Sequence, residues 1–344
     1  MGRETDAVAF FAALAEAPYR YDFYQTLRTI ECLHPDRPRW GHARRPVDEP
    51  VRLGQDAELS FAPAPLSSFV AGQGGRPPRL QVRLFGLMGP NGPLPIHLTE
   101  YARERVRHAG DQALSRFLDL FNHRFLALFY RAWAQAQPHV SRDRPADDRF
   151  ADYIGGFVGI GSAAWRNRDG VPDLAKIFHA GTLIRHARNA AGLQAILEQY
   201  FEVPVEVQEF VGHWLPLRGR ERTRLGGGGP PLGAGAVLGG RVWDRQSKVR
   251  LRVGPVGLAA YEAFLPGTDR LAALVDWVRL YLGFELDWDL CLVLTREEVP
   301  PLALGRGGRL GWTAWLGRRP SNEDADDLRL DAEAFVARPG AGVS

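Results

Sequence analysis

The chain has 344 residues, 45% hydrophobic and 24% charged, the balance of a globular protein of about two domains. No run approaches the ~18 apolar residues of a membrane span. The acidic start, MGRETDAVAF, is unlike an export signal, and two cysteines, Cys32 and Cys291, exclude a disulfide framework or a Cys-rich zinc site, so a cytoplasmic setting is expected.

Net charge is +3, carried by 41 arginines and two lysines, Lys176 and Lys248. Acidic residues are interspersed throughout, so the arginines read as ion pairs and solvated faces ahead of a nucleic-acid surface. In chain order, Asp6 opens a short helix over 6–16, which Pro18 stops. Phe23, Leu27 and Ile30 form the stripe of a second helix over about 22–33. The segment HPDRPRWGHARRPVDEP is too proline-dense for helix. Val51, Leu53, Leu59 and Phe61 suggest strands between 51 and 70, residues 71–79 a flexible tip, and Leu80, Val82 and Leu84 a further strand. GLMGPNGPLPIH (86–97) predicts an ordered turn system, after which Thr99 caps a helix to about 108.

The strongest periodicity lies at 111–137, where Leu114, Phe117, Leu118, Phe121, Phe125, Leu126, Phe129 and Trp133 follow helical spacing. Such an aromatic face belongs to a central packing element or an interface helix. Residues 138–150 read as loop. The glycines of FADYIGGFVGIGSAAW (150–165) lack a following Walker lysine, and read as a close helix–helix contact ahead of a phosphate cradle. Pro172 starts a helix to about 188, a second covers about 191–201, and Val203, Val205 and Val207 mark a strand. A long Gly/Pro/Arg loop spans 216–236. Strands follow near 237–243 and 248–253, then a helix over 269–282 and a strand over 284–294. WTAWL (312–316) is expected as the last strand, and the acidic tail frays after Arg338.

Two segments match each other in order. LGQDAEL (53–59) is similar to LGAGAVL (232–238), and VRLFGLMGPNGPL (82–94) to VRLRVGPVGL (249–258). The expected fold is α+β in two pseudo-repeated halves, 1–149 and 190–318, joined by a helical connector, 150–189. Each half holds helices and a small antiparallel β domain with a Gly/Pro-rich tip, and residues 319–344 form a partly disordered acidic tail. Two similar tips suit two copies of one partner.

No catalytic constellation stands out. The histidines lack zincin spacing, and there is no G-x-S-x-G or P-loop. His179 and His186 would sit two turns apart on one helix, too far for a single metal without other ligands. Glu285, Asp287 and Asp289 would line one strand face, as acid and base, as a hard-cation site, or simply as partners of arginine. No cofactor or metal is expected. The rival readings are a basic nucleic-acid-binding protein and a carboxylate-dependent hydrolase.

Long motifs carry a family resemblance: FYQTLRTIECLHPDRPRWGHARRPVDEPVRLG, FGLMGPNGPLPIHLTEYARERV, FLDLFNHRFLALFYRAWAQAQP, LEQYFEVPVEVQEFVGHWLPL, VLGGRVWDRQSKVRLRVGP, LVDWVRLYLGFELDWDLCLVL and LGWTAWLG. Together, over roughly 8–318, they resemble the TssG (ImpH, VasB) subunit of the type VI secretion baseplate. The resemblance implies a structural protein, not an enzyme. It would join two copies of TssF into a wedge, hold TssK trimers, contact TssE and surround the hub and spike, in the cytoplasm beneath the inner-membrane complex. On that basis Phe117, Phe121, Phe125, Phe129 and Trp133 are expected in a helix bundle with TssF. The tips Gly89, Pro90, Asn91, Gly92, Pro93, Leu94 and Gly254, Pro255, Val256, Gly257, Leu258 are expected to meet one TssK trimer each.

Overall fold

The computed structural model describes residues 2–219, 221–224, 231, 233–237, 239–302, 308–316 and 322–336. The chain divides into two compact units, residues 1–150 and 151–344, each with its own sheet and its own core. It is α+β, as expected.

In the first unit, α1 (Gly2–Glu16) is followed by α2 (Phe23–Leu33). Asp22 caps α2 by accepting the Gln25 N–H at 3.0 Å. Three strands follow: β1 (Arg52–Gln55), β2 (Leu66–Val70) and β3 (Arg79–Val82). β3 is central, parallel to β1 and antiparallel to β2. Residues 71–78 make the exposed turn of the β2–β3 hairpin. Helices α3 (Ile96–Ala109), α4 (Ala113–Ala134) and the short α5 (Pro138–Arg142) complete the unit. Its core joins Phe23, Leu27 and Ile30 of α2 to Leu53, Leu80 and Val82 of the sheet and Leu126 and Tyr130 of α4.

The proline-dense segment after α2 is ordered by buried carboxylates. Glu31 accepts from Arg39 Nη1 and from the Trp40 N–H, both at 3.1 Å, and the Trp40 indole donates to the Leu27 carbonyl at 2.9 Å. A buried carboxylate is stable only when its oxygens are matched in this way.

The second unit takes in most of α6 (Arg149–Phe157), then α7 (Asp173–Phe178), α8 (Ala180–Leu183) and α9 (Ala190–Phe201). Its strands are β4 (Val205–Gln208), β5 (His213–Pro216), β6 (Arg241–Asp244), β7 (Lys248–Val256), β8 (Asp287–Leu294) and β9 (Ala325–Leu330). The sheet order is β4-β7-β8-β9, with β7 and β8 parallel and both outer pairings antiparallel, while β5 and β6 form a separate ribbon. A parallel pair needs a crossover, supplied here by α10 (Leu258–Glu262) and α11 (Asp269–Leu282). The sheet and α11 share one core, which includes Leu251, Leu290, Leu292, Leu274 and Trp277. The short α12 (Ala332–Val336) follows β9.

Several expectations need correction. Residues 138–150 are not a loop: α5 and a 3-10 turn occupy them. Thr99 does not cap α3, which begins at Ile96; its buried hydroxyl accepts the Gly89 N–H at 3.0 Å. The helix expected over 172–188 breaks at His179, so His179 and His186 share no helix. The glycines after α6 serve a tight reversal: a Cβ on Gly161 would stand 2.8 Å from Gly156 Cα. The strand expected over 284–294 starts at Asp287, because Phe284 is exposed. The last strand is β9, while Trp315 makes only an isolated bridge with Pro301.

Residues assigned to the connector pack within the second unit, where Val171 and Leu183 belong to its core. Part of the expected acidic tail is β9, held in the sheet through Leu328 and Leu330 against Leu292 and Leu290. The fraying expected beyond Arg338, and residues 232 and 238 of the matched repeat, lie outside the described residues. In the other matched pair, Val82 ends β3 whereas Val249 lies near the start of β7, so the two Val-Arg-Leu triplets occupy different strand positions.

Asp289 shows what the arginines do. It accepts from Arg250 Nε at 2.6 Å and lies 2.9 Å from Lys248 Nζ. Burial alone would raise its pKa, but these hydrogen bonds outweigh burial and hold the carboxyl below its usual range. A carboxyl lowered in the fold stabilises it above the unfolded pKa of about 3.9, and that contribution is lost as pH falls through the lower native value. Asp289→Asn should therefore reduce the loss of stability seen as pH falls below about 5, read by urea unfolding at each pH.

Candidate partner-binding surfaces

The candidate surface on the first unit follows from how α4 meets β1. β1 is an edge strand, paired on one side with β3. Arg52 and Asp56 donate their N–H groups to the Pro78 and Val82 carbonyls, at 2.8 and 3.0 Å. The N–H groups of Leu53 and Gln55 point the other way, where a further strand would lie. They donate to His123 Nδ1 at 3.1 Å and Asp119 Oδ1 at 2.9 Å, both on α4.

Asp119 Oδ2 also receives Arg79 Nη1 at 2.9 Å, and His123 Nε2 lies 2.6 Å from Glu49 Oε2. Helix and strand approach so closely that a Cβ on Gly54 would stand 2.5 Å from the Asp119 carboxylate. Asn122, fully buried, accepts the Leu87 N–H at 3.1 Å. The inner face of α4 is thus polar along Asp119, Asn122 and His123, and apolar only from Leu126 to Tyr130.

That commitment places the aromatic residues outside. Phe117, Leu120, Phe121, Phe125 and Leu128 are 56%, 69%, 48%, 44% and 37% exposed. Of the five residues expected at an interface, Phe117, Phe121 and Phe125 are therefore outward. Phe129 and Trp133 are not: they pack on Phe23, Tyr24 and Tyr130 beside the core. Leu120 and Leu128 join the outward stripe, and their spacing from the phenylalanines could have placed them there.

The first Gly/Pro turn is built and outward. The Gln55 side chain holds Met88 from both ends: its amide nitrogen donates to the Met88 carbonyl at 2.5 Å and its oxygen accepts the Met88 N–H at 2.7 Å. Asn122 and Thr99 hold the N–H groups of Leu87 and Gly89. Gly92 N donates to Gly89 O at 3.1 Å and Leu94 N to Leu87 O at 3.2 Å, closing the turn. Pro90, Asn91 and Pro93 remain exposed, while Gly92 and Leu94 are half-buried and Gly89 is buried. A cavity of about 230 Å³ lies beside the turn, with Asp56, Phe61, Arg83 and Phe85 on its walls.

The second supposed tip is not a tip. Gly254, Pro255 and Val256 end strand β7, and Val256 pairs with Leu294. Gly254 has φ +121°, and a Cβ there would stand 2.3 Å from the Val293 carbonyl. Gly257 caps α10, and Leu258 donates its N–H to Glu298 at 2.6 Å. Only Pro255 faces outward. The Gly-Pro signature serves a close approach of two strands here, where in the first unit it serves a turn.

The catalytic alternatives gain no geometry. Asp289 is occupied by Arg250 and Lys248, and Asp287 lies exposed 3.9 Å from His213. His179 is buried against the Trp277 ring, with its pKa lowered by that burial. Among the described residues no three His, Cys, Asp or Glu side chains are grouped to hold a metal, and no helix is long and apolar enough to cross a membrane. The exposed pair Trp214 and Trp243 on the β5–β6 ribbon was not foreseen, because only the strand register brings them together.

A family model described as "Type VI secretion, TssG" matches residues 17–317. Among solved structures, a chain of the type VI secretion system TssK-TssF-TssG baseplate subcomplex is 22% identical. That match covers 60% of this chain and 89% of the other, with a TM-score of 0.51. A chain of the baseplate complex from the type VI secretion system, also 22% identical, matches over 91% of this chain and 90% of its own, with a TM-score of 0.65. At that identity the likeness shows the fold. No protein of curated function matches.

The two faces of α4 differ in what they do for stability. Asp119→Ala strands a buried N–H and a guanidinium and should cost about 3 kcal/mol or more. Leu126→Ala in the core should cost about 2–5 kcal/mol. Phe121→Ser on the outer face should change stability by no more than about 0.5 kcal/mol. Urea unfolding of the three variants checks the contrast.

Proposed function

The chain belongs to the TssG family of type VI secretion, and on that premise we propose that it is a structural subunit of the secretion baseplate, joining two TssF chains and docking TssK. One observation carries the proposal: the outward phenylalanine and leucine stripe of α4, on a helix whose polar face is committed to β1. A soluble chain rarely leaves so continuous an apolar stripe uncovered, and aromatic side chains are enriched where protein interfaces are fully buried. The TssK-TssF-TssG subcomplex among the structural neighbours supports the identity of the partners.

The TssF contact is assigned to Phe117, Leu120, Phe121, Phe125 and Leu128. Phe129 and Trp133 support that surface from within. The TssK contact is assigned to Pro90, Asn91 and Pro93, which the turn over 86–94 holds rigidly and so presents at little entropic cost. The paired-tip arrangement is not carried forward, because the 254–258 segment lies in the sheet. The role is one of assembly: of the side chains first considered for catalysis, Asp289 is an ion-pair partner and His179 a packing group. Contacts with TssE and the hub, and a position beneath the inner-membrane complex, belong to the same proposal.

Phe121→Glu combined with Phe125→Glu should abolish co-purification of TssF while leaving the circular dichroism of the isolated chain unchanged. Undiminished TssF recovery would refute the assignment. Replacing Pro90–Pro93 with a Gly-Ser segment should lower the amount of TssK recovered and spare TssF; equal loss of both would mark the turn as structural support only.

A further inference from the structure

A second surface, in the other unit, has a different chemistry. β5 and β6 pair as a two-stranded ribbon with Trp214 opposite Trp243 and Pro216 opposite Arg241. The two indoles meet edge to face, with centroids 5.3 Å apart, and both are more than half exposed. Trp243 packs against Gly212, where a Cβ would come within 2.3 Å of its ring, and solvent reaches both rings. Beside them is a cavity of about 520 Å³ lined by Trp214, Pro216, Arg222, Gly240 and Arg241.

Arg28, Arg79, Arg83 and Arg250 each meet a carboxylate of their own unit, and Arg144 is taken up by carbonyls. Arg218, Arg222, Arg224, Arg241 and Arg245, on or beside the ribbon, form no ion pair among the described residues. The nearby acids are taken up locally: Glu221 accepts the Arg218 N–H at 2.9 Å, and Asp244 accepts the Gln246 and Ser247 N–H groups at 3.2 and 3.0 Å and the Ser247 hydroxyl. Arg222 donates its Nε to the Leu217 carbonyl at 3.1 Å, and among the described residues its terminal nitrogens meet no carboxylate.

We infer that the β5–β6 ribbon docks an acidic segment of a partner protein, with Asp or Glu carboxylates on Arg222 and Arg241 and an apolar side chain on the Trp214–Trp243 pair. Charge complementarity selects this occupant: forked guanidinium groups without a carboxylate match a carboxylate in two hydrogen bonds. Exposed Phe210 and Leu215 offer apolar contacts that a polynucleotide would not use. The surface is independent of the α4 stripe and the 86–94 turn, so its failure would leave those assignments standing.

Carbodiimide coupling, which joins a lysine amine to a touching carboxylate as an amide, tests the inference. The chain's own lysines give little background, since Lys176 is buried against Asp169 and Asp173, and Lys248 is held by Asp289. In Arg222→Lys and Arg241→Lys variants, isolated in the complex formed in the producing cells, the introduced lysine should couple to Asp or Glu of another chain. Arg222→Glu with Arg241→Glu should reduce recovery of that chain about tenfold, as loss of the charge-assisted contacts requires, with circular dichroism unchanged. Coupling confined to this chain, or undiminished recovery after charge reversal, would overturn the inference. Retention of nucleic acid that nuclease releases would overturn it in favour of a polynucleotide.

Discussion

The first unit is organised by one constraint: the two outward N–H groups of an edge strand must find acceptors. Water would satisfy them, but β1 lies against a helix. Asp119 and His123 take the place of the missing strand, and Arg79 and Glu49 complete the network around them. A helix can satisfy a strand edge only with side chains long enough to reach it, which sets the close approach at Gly54. Once those polar residues face inward, α4 has part of one face left for the core and must carry its remaining apolar side chains outward. The exposed stripe is therefore a consequence of how the unit is held together.

The arginine-rich composition resolves in the same terms. In each unit, guanidinium groups are matched to carboxylates that would otherwise be buried without compensation: Arg39 to Glu31, Arg79 to Asp119, Arg250 to Asp289. Arg144 plays a similar part with carbonyls, donating to those of Glu31, His34 and Arg37 around the proline-dense segment. Arginine suits this work because one planar head reaches several acceptors and stays charged when half-buried. The high arginine content thus builds loops as much as it decorates surfaces.

Much of this was legible from pattern. Helices with an apolar stripe and a cap, such as α11 behind Thr268 and α2 behind Asp22, lie where periodicity puts them, because local signals and burial agree there. β8 was legible from its alternation, although its length was not, since Phe284 stands 88% exposed outside the sheet. What periodicity could not say is which side of a stripe faces the core. The phenylalanines of α4 suit either an inward face or an interface by spacing alone, and the partners of Asp119 and His123 decide between the two. The Gly-Pro pairs failed for a related reason: a glycine that permits an unusual φ marks a turn at Gly89 and a strand–strand approach at Gly254, and sequence does not distinguish the two. Strand β9 was hidden because its buried residues, Ala325, Leu328 and Leu330, break the period of two at an irregular register and lie among acidic residues.

The place of β9 in the chain has a further consequence. The family match stops at residue 317, yet the strand that covers the outer edge of β8 spans Ala325–Leu330. β8 is buried along nearly its whole length, with Leu290, Cys291, Leu292, Val293 and Leu294 in sequence. A chain cut at the family boundary would bare a row of unpaired amides and carbonyls beside that apolar run, the kind of edge onto which a neighbouring molecule's strand adds. During synthesis the same edge stays open until β9 has been delivered. The gap between finishing β8 and laying down β9 is thus an interval in which the nascent chain is open to self-association.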